Sequence, residues 1–229
     1  MIIAGMQKLT LLDYPHKIAA TLFTPGCNFR CPFCHNAPLV TAASDTPLIS
    51  EMEVLAFLES RIGILDGVCI TGGEPLMQKD IASFIQKIKS LGFLVKLDTN
   101  GSFYSSLKAL IDDRLVDYVA MDIKNSPEKY EVTAASSGML SEIEKSVALL
   151  LEGHVEYEFR TTVVKEFHTQ RDFESIGRWI KGADLYVLQN FEDSENVIQK
   201  GLSSVTKETL VSYANVLSEH VSRVEIRGV

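Results

Sequence analysis

Short apolar runs alternate with helix-forming stretches along nearly the whole chain, and this alternation restricts the fold more than any other feature. IAATLFT (Ile18 to Thr24), GVCITGG (Gly67 to Gly73) and FLVKLDTN (Phe93 to Asn100) read as strands. So do VDYVAMDIK (Val116 to Lys124), HVEYEFRTTVV (His154 to Val164) and ADLYVLQNF (Ala183 to Phe191), with a last short one in SRVEIRGV (Ser222 to Val229). Ser50 with Glu53 forms a capping box ahead of VLAFLESRI, and Ser141 with Glu144 forms another ahead of KSVALLL. Ile81 to Gly92 carries apolar residues at helical spacing and ends on a glycine stop. Further helices are expected near 102–111, 170–180 and 206–219. Apolar strands separated by helices imply parallel βα units with both sheet faces covered. Six such units fit 229 residues, whereas a closed eight-unit barrel takes about 250. An incomplete barrel is therefore expected, although an open doubly wound sheet satisfies the same pattern. The polar segments Ala42 to Pro47 and Lys124 to Gly138 read as loops.

An apolar content of 46% supports one core, and a single domain over residues 1–229 is expected. Thirty acidic against 22 basic residues, with no basic tail, argue against a nucleic-acid partner gripped through its phosphates. The first residues carry no charged leader with a long apolar run, and no stretch reaches the roughly 18 apolar residues of a membrane span. The cytosol is the expected location. In that reducing compartment four cysteines, three of them clustered, read as metal binding or redox chemistry rather than a disulfide framework.

Cys27, Cys31 and Cys34 form a CxxxCxxC pattern immediately after the first expected strand. Thiolates are soft ligands suited to iron–sulfur clusters, zinc or copper(I), and this spacing lets one loop wrap one centre. Structural zinc would need a fourth ligand. Cys69 lies inside an apolar strand and reads as an inert core thiol, while His35 abuts Cys34 and would have to fold back onto the same ion. A cubane held by three cysteines instead leaves one iron open to a small molecule.

With Phe33 before its last cysteine, the motif resembles that of the radical S-adenosylmethionine (SAM) enzymes. The resemblance implies a partial (β/α)6 TIM-like barrel and one [4Fe–4S] cluster on Cys27, Cys31 and Cys34, with SAM chelating the fourth iron. Reductive cleavage of SAM would give methionine and a 5'-deoxyadenosyl radical. Phe33 would pack beside that site, with Asn28, Arg30 and His35 shaping the loop. TGGEP (Thr71 to Pro75) is by itself a tight turn that permits close backbone approach. In the family the corresponding segment contacts the cofactor's amino group, which implicates Gly72, Gly73 and Glu74. LDTNG and MDIK end the next two strands, so Asp98, Thr99 and Asp122 converge on the usual ligand face of such a fold, as cofactor contacts or as a site for a monovalent or divalent cation. Helix caps or satisfied loop amides would explain the same residues. Lys124 is a candidate for the methionyl carboxylate, and Arg160 for the barrel mouth. Leu188, Gln189 and Asn190 in VLQNF are candidates for the adenine side, and a plain strand followed by a loop is their bland alternative.

The N-terminal region through Val40 resembles activating proteins of anaerobic ribonucleoside-triphosphate reductase and, more distantly, the pyruvate formate-lyase activating enzyme. Related activators often carry DGPG and a basic residue where this chain has Asp13 to Lys17. No ferredoxin-like cysteine insertion separates Asn36 from TGGEP, which favours a one-cluster enzyme. The resemblance thus implies an activase that takes an electron from flavodoxin or ferredoxin and generates a glycyl radical on a partner enzyme. Two alternatives stand beside it: a radical SAM enzyme acting directly on a small molecule or peptide, and a non-catalytic Fe–S electron-transfer or zinc interaction module.

Overall fold

Eight strands form one sheet in strict sequence order: β1 (Gly5–Thr10), β2 (Ala19–Thr24), β3 (Gly67–Gly72), β4 (Leu94–Thr99), β5 (Tyr118–Asp122), β6 (Glu156–Val163), β7 (Leu185–Asn190) and β8 (Arg223–Arg227). This is a computed structural model that describes residues 1–41 and 47–228. β1 pairs antiparallel with β2, and every later pair is parallel. The doubly wound alternative needs a reversal of strand order, and none is present. Parallel crossovers are right-handed almost without exception, so a sequential order puts every helix on one side and curls the sheet toward the other. The result is the expected α/β partial barrel of six βα units, closed off by β8. β1 is an addition that the sequence did not announce. Its centre, Gln7 to Leu9, is exposed, and it lacks the apolar run that marked the other strands.

The helices are α1 (Ala37–Thr41), α2 (Glu51–Glu59), α3 (Ile81–Ser90), α4 (Tyr104–Asp112), α5 (Tyr130–Ala134), α6 (Leu140–Leu151), α7 (Gln170–Trp179) and α8 (Lys207–Leu217). The Ser50/Glu53 capping box is present, and α3 buries Ile81, Phe84, Ile85 and Ile88 on one stripe. The Ser141/Glu144 box is not formed. Gly138, at φ +75° with its N–H donated to Glu131, completes the preceding turn, so α6 starts at Leu140 with Met139 as cap. Lys124 to Gly138 is also more than a loop, because it contains a 3-10 turn at Pro127–Lys129 and then α5. The expected loop at Ala42 to Pro47 falls, apart from Pro47, outside the described residues.

Strand alternation gives the sheet two unlike faces. Val68, Ile70, Val95, Leu97, Val119, Met121 and Phe159 pack in the apolar core with the helices. Lys96, Asp98, Tyr118, Glu158 and Arg160 line a cavity of about 1040 Å³. Charged side chains on that second face form a bonded network instead of a second oily layer.

Candidate functional site

Register places the carboxyl ends of the strands side by side. Thr24 pairs with Gly72, Thr99 with Met121, and Asp122 with Arg160. The cysteine loop leaves β2 at this end and lies directly on the GGE turn. Glu74 N donates to Gly26 O at 2.8 Å, Gly73 N to Thr24 O at 2.8 Å, and Asn36 Nδ2 to Gly72 O at 2.8 Å. A Cβ at Gly73 would stand 2.6 Å from the Gly26 carbonyl carbon, so only glycine admits this approach. On the loop's other flank Arg30 N donates to Ala134 O at 3.1 Å. Asn100 Nδ2 donates to Asn28 Oδ1 at 2.9 Å, and Asn28 Nδ2 to Ser102 Oγ at 2.8 Å.

Cys27, Cys31, Cys34 and Phe33 line one cavity of about 180 Å³. Gly72, Gly73 and Thr99 form part of its wall, as do Asp98, Asp122, Lys124 and Arg160. Glu74 is placed differently. Its carboxylate is wholly buried and accepts from Thr99 Oγ1 at 2.8 Å, Asn100 N at 2.7 Å and Leu76 N at 3.1 Å. Burial pushes its pKa up to about 7 against the pull of these three bonds. Glu74 therefore ties the GGE turn to the end of β4. Leu188 is buried in the apolar core, Gln189 lines the larger cavity, and Asn190 is engaged with Val205 N and O. None of these three lines the cysteine cavity. Sequence reasoning had passed over Asn100, which lines the cavity with its Nδ2 3.9 Å from Cys27 Sγ. Its place just after the Asp-Thr pair at a strand end was the available signal.

Beneath the thiols runs an alternating series of charges. Lys124 Nζ meets Asp122 at 2.9 Å, and Asp122 meets Arg160 Nε at 3.0 Å. Arg160 reaches Asp98 at 3.3 Å, and Asp98 also contacts the buried ammonium of Lys96. Burial opposes ionisation of both aspartates. Arg160 and Lys96 outweigh it at Asp98, as Lys124 and Arg160 do at Asp122, and hold both carboxyls below their usual range. The residues considered for an external cation thus face protein cations, and Thr99 Oγ1 is committed to Glu74. Among the described residues, no three or more His, Cys, Asp or Glu side chains are gathered into a group that could hold a metal ion as they stand. Burial raises the Cys27 thiol pKa and pushes Cys31 up to about 12, partly offset by Lys124, so loading a metal centre would release protons. Cys69 is sealed in β3 with Sγ 3.8 Å from Asp98, and His35 Nε2 is engaged by Glu192 O at 2.7 Å. Three soft donors on one cavity, with no fourth cysteine beside them, fit a centre that keeps one coordination position open.

Residues 21–180 match the family model of the radical SAM superfamily. The chain belongs to the radical SAM superfamily. Membership implies an iron–sulfur cluster and SAM as cofactors. A provisionally named glycyl-radical enzyme activating enzyme of Methanocaldococcus jannaschii is 32% identical over 235 residues, which cover 100% of this chain and 96% of that protein. Solved structures are similar in fold at lower identity. A domain of pyruvate-formate lyase-activating enzyme from Bacteroides vulgatus superposes with a TM-score of 0.58 at 14% identity, covering 71% of this chain and 99% of that one. Streptococcus suis SuiB bound to S-adenosylmethionine gives 0.67 at 14% identity, over 91% of this chain and 52% of that one. Among the described residues, no helix of this radical SAM protein is long and apolar enough to cross a membrane.

Proposed function

We propose that this radical SAM enzyme holds one [4Fe–4S] cluster on Cys27, Cys31 and Cys34, and generates a glycyl radical on a partner, anaerobic ribonucleoside-triphosphate reductase. The observation that carries the reading is the meeting of three thiols, without a fourth cysteine, and a charged wall of Lys124, Asp122, Arg160 and Asp98 on one small cavity. The full-length similarity to a protein named as a glycyl-radical enzyme activating enzyme supports the partner class. When bound, the cluster and SAM supply a reductively formed carbon radical able to remove a glycine Cα hydrogen. The chain's own residues hold and orient. Lys124 and Arg160 present positive charge to a carboxylate, Asp98 and Asp122 keep those cations in place and offer acceptors to an ammonium, and the Gly72–Gly73 turn braces the cysteine loop. Flavodoxin or ferredoxin is the proposed electron donor. Leu188 and Gln189 receive no cofactor contact in this proposal.

A second reading, direct action on a small molecule or peptide, is favoured by one observation: the larger cavity of about 1040 Å³ shares Asp98 and Arg160 with the cysteine cavity. Anaerobic reconstitution followed by incubation with the reductase, a reductant and SAM distinguishes the two. The activase reading expects about four irons per chain, reductant-dependent 5'-deoxyadenosine and a glycyl EPR doublet on the partner. SAM cleavage without any doublet would give way to the second reading, and stable zinc with no cleavage would end both.

A further inference from the structure

His168 lines neither cavity, yet it joins two parts of the cysteine site. It lies in the turn between β6 and α7 and is 2% exposed. Its Nε2 lies 2.9 Å from Lys124 O, which can only accept, so Nε2 carries the ring proton and donates there, while Nδ1, with Val164 O at 3.2 Å, accepts from Val164 N at 3.1 Å. The same ring meets Phe33 edge-on at 6.4 Å between centroids and stacks on Phe173 at 5.8 Å, which in turn stacks on Tyr213 at 4.5 Å. Tyr213 closes the unit by donating its hydroxyl to His168 O at 3.4 Å. Phe167 adds a second aromatic contact to Phe33 at 5.8 Å, and its carbonyl accepts from Asn125 Nδ2 at 3.1 Å. The turn, through the buried His168 ring and the half-buried Phe167, therefore grips both the chain at Lys124–Asn125 and Phe33 of the cysteine loop.

The geometry points to His168 as a positioning residue: through Lys124 O and Phe33 it holds the Lys124 ammonium and the cysteine loop at one spacing across the cavity, and so governs how tightly SAM is bound. This rests on the proposed SAM site. A SAM carboxylate held by Lys124 while the cysteine loop holds the cluster would tolerate little change in that spacing. Loss of one charge-assisted contact between Lys124 and the carboxylate corresponds to about tenfold in a binding constant.

Glutamine and methionine are nearly isosteric, and only glutamine keeps an N–H donor, so His168→Gln and His168→Met form a matched pair. Both reconstituted variants should load about four irons. His168→Met should bind SAM about tenfold more weakly than the unaltered protein and lose the SAM-induced change in the EPR spectrum of the reduced cluster, while His168→Gln should retain most of both. Equal SAM affinity and equal spectra in the two variants, with only the melting temperature lowered, would reduce His168 to a packing role and overturn the inference. If His168→Met does not fold, amide exchange in the unaltered holoenzyme decides: SAM should slow exchange at 164–168 together with 123–125, and no change at 164–168 overturns the inference. Failure of the unaltered, iron-loaded protein to bind SAM would sink the underlying site reading and this inference with it.

Discussion

Gly73→Ala tests most directly whether the GGE turn exists to seat the cysteine loop. The new Cβ would fall 2.6 Å from the Gly26 carbonyl carbon and closer still to its oxygen, where real Cβ atoms keep at least 3.0 Å. The obstacle is backbone, so no side chain can swing aside, and the loop must retreat by on the order of 1 Å. That retreat strains or breaks the Glu74 N to Gly26 O bond of 2.8 Å. Overpacking and one weakened buried hydrogen bond together cost about 3 kcal/mol. In a chain of this size that lowers the melting temperature by roughly 6–12 °C. The displaced loop carries Cys27, Cys31 and Cys34, so iron retained after anaerobic reconstitution should fall alongside. Gly5→Ala is the control, since its Cβ would meet Phe23 at an ordinary 3.6 Å. Thermal melting and iron content of both variants are the assays. A Gly73→Ala protein that melts with the control and keeps a full iron complement would refute the seating role.

Cys31→Ala should abolish iron binding and SAM cleavage together, and retained activity would contradict the assignment. Lys96→Met leaves the largely buried Asp98 with the Arg160 cation at 3.3 Å and the Cys69 thiol at 3.8 Å, and should cost about 3 kcal/mol in urea unfolding; an unchanged midpoint would mean that Lys96 is not needed to balance Asp98. The depressed carboxyls of Asp98 and Asp122 contribute stability that is complete above the unfolded aspartate pKa near 3.9 and drains away as pH falls through their lower folded values. Urea midpoints taken below about pH 4 should drop less steeply in Asp98→Asn than in the unaltered protein. Glu74 has the opposite sign. Raised from 4.5 to about 7, it binds its proton more tightly in the folded state, so stability falls by about 3 kcal/mol as pH rises through that window. Glu74→Gln should flatten this slope, and an unaltered slope would show that Glu74 does not titrate there.

Legibility followed range. CxxxCxxC, the Ser50/Glu53 cap and the apolar stripe of α3 are local patterns whose physics lies within one turn or one loop, and each was readable from the residues. The strand ends were readable too, because carboxyl-terminal positions of parallel strands share one end of the sheet. Asp98, Asp122, Lys124 and Arg160 duly meet the cysteines at one cavity. The failures involve partners that lie outside the short pattern being read. Ser141 and Glu144 matched a capping box, but Gly138 and Glu131 began the helix earlier. Glu74 looked like a ligand-facing acceptor, yet it is turned inward onto Thr99 and Asn100.

By itself, then, the sequence determined the βα alternation, the soft three-thiol donor set and the acidic and basic residues at the strand ends. Only the tertiary structure decided that the strands run in unbroken order, that the second glycine of GGE exists to pass beneath Gly26, and that His168 closes on Lys124 across 44 residues. The physical reason is that propensity, spacing and capping act between near neighbours, whereas register and the burial of one side chain against a distant carbonyl are settled when the whole sheet curls.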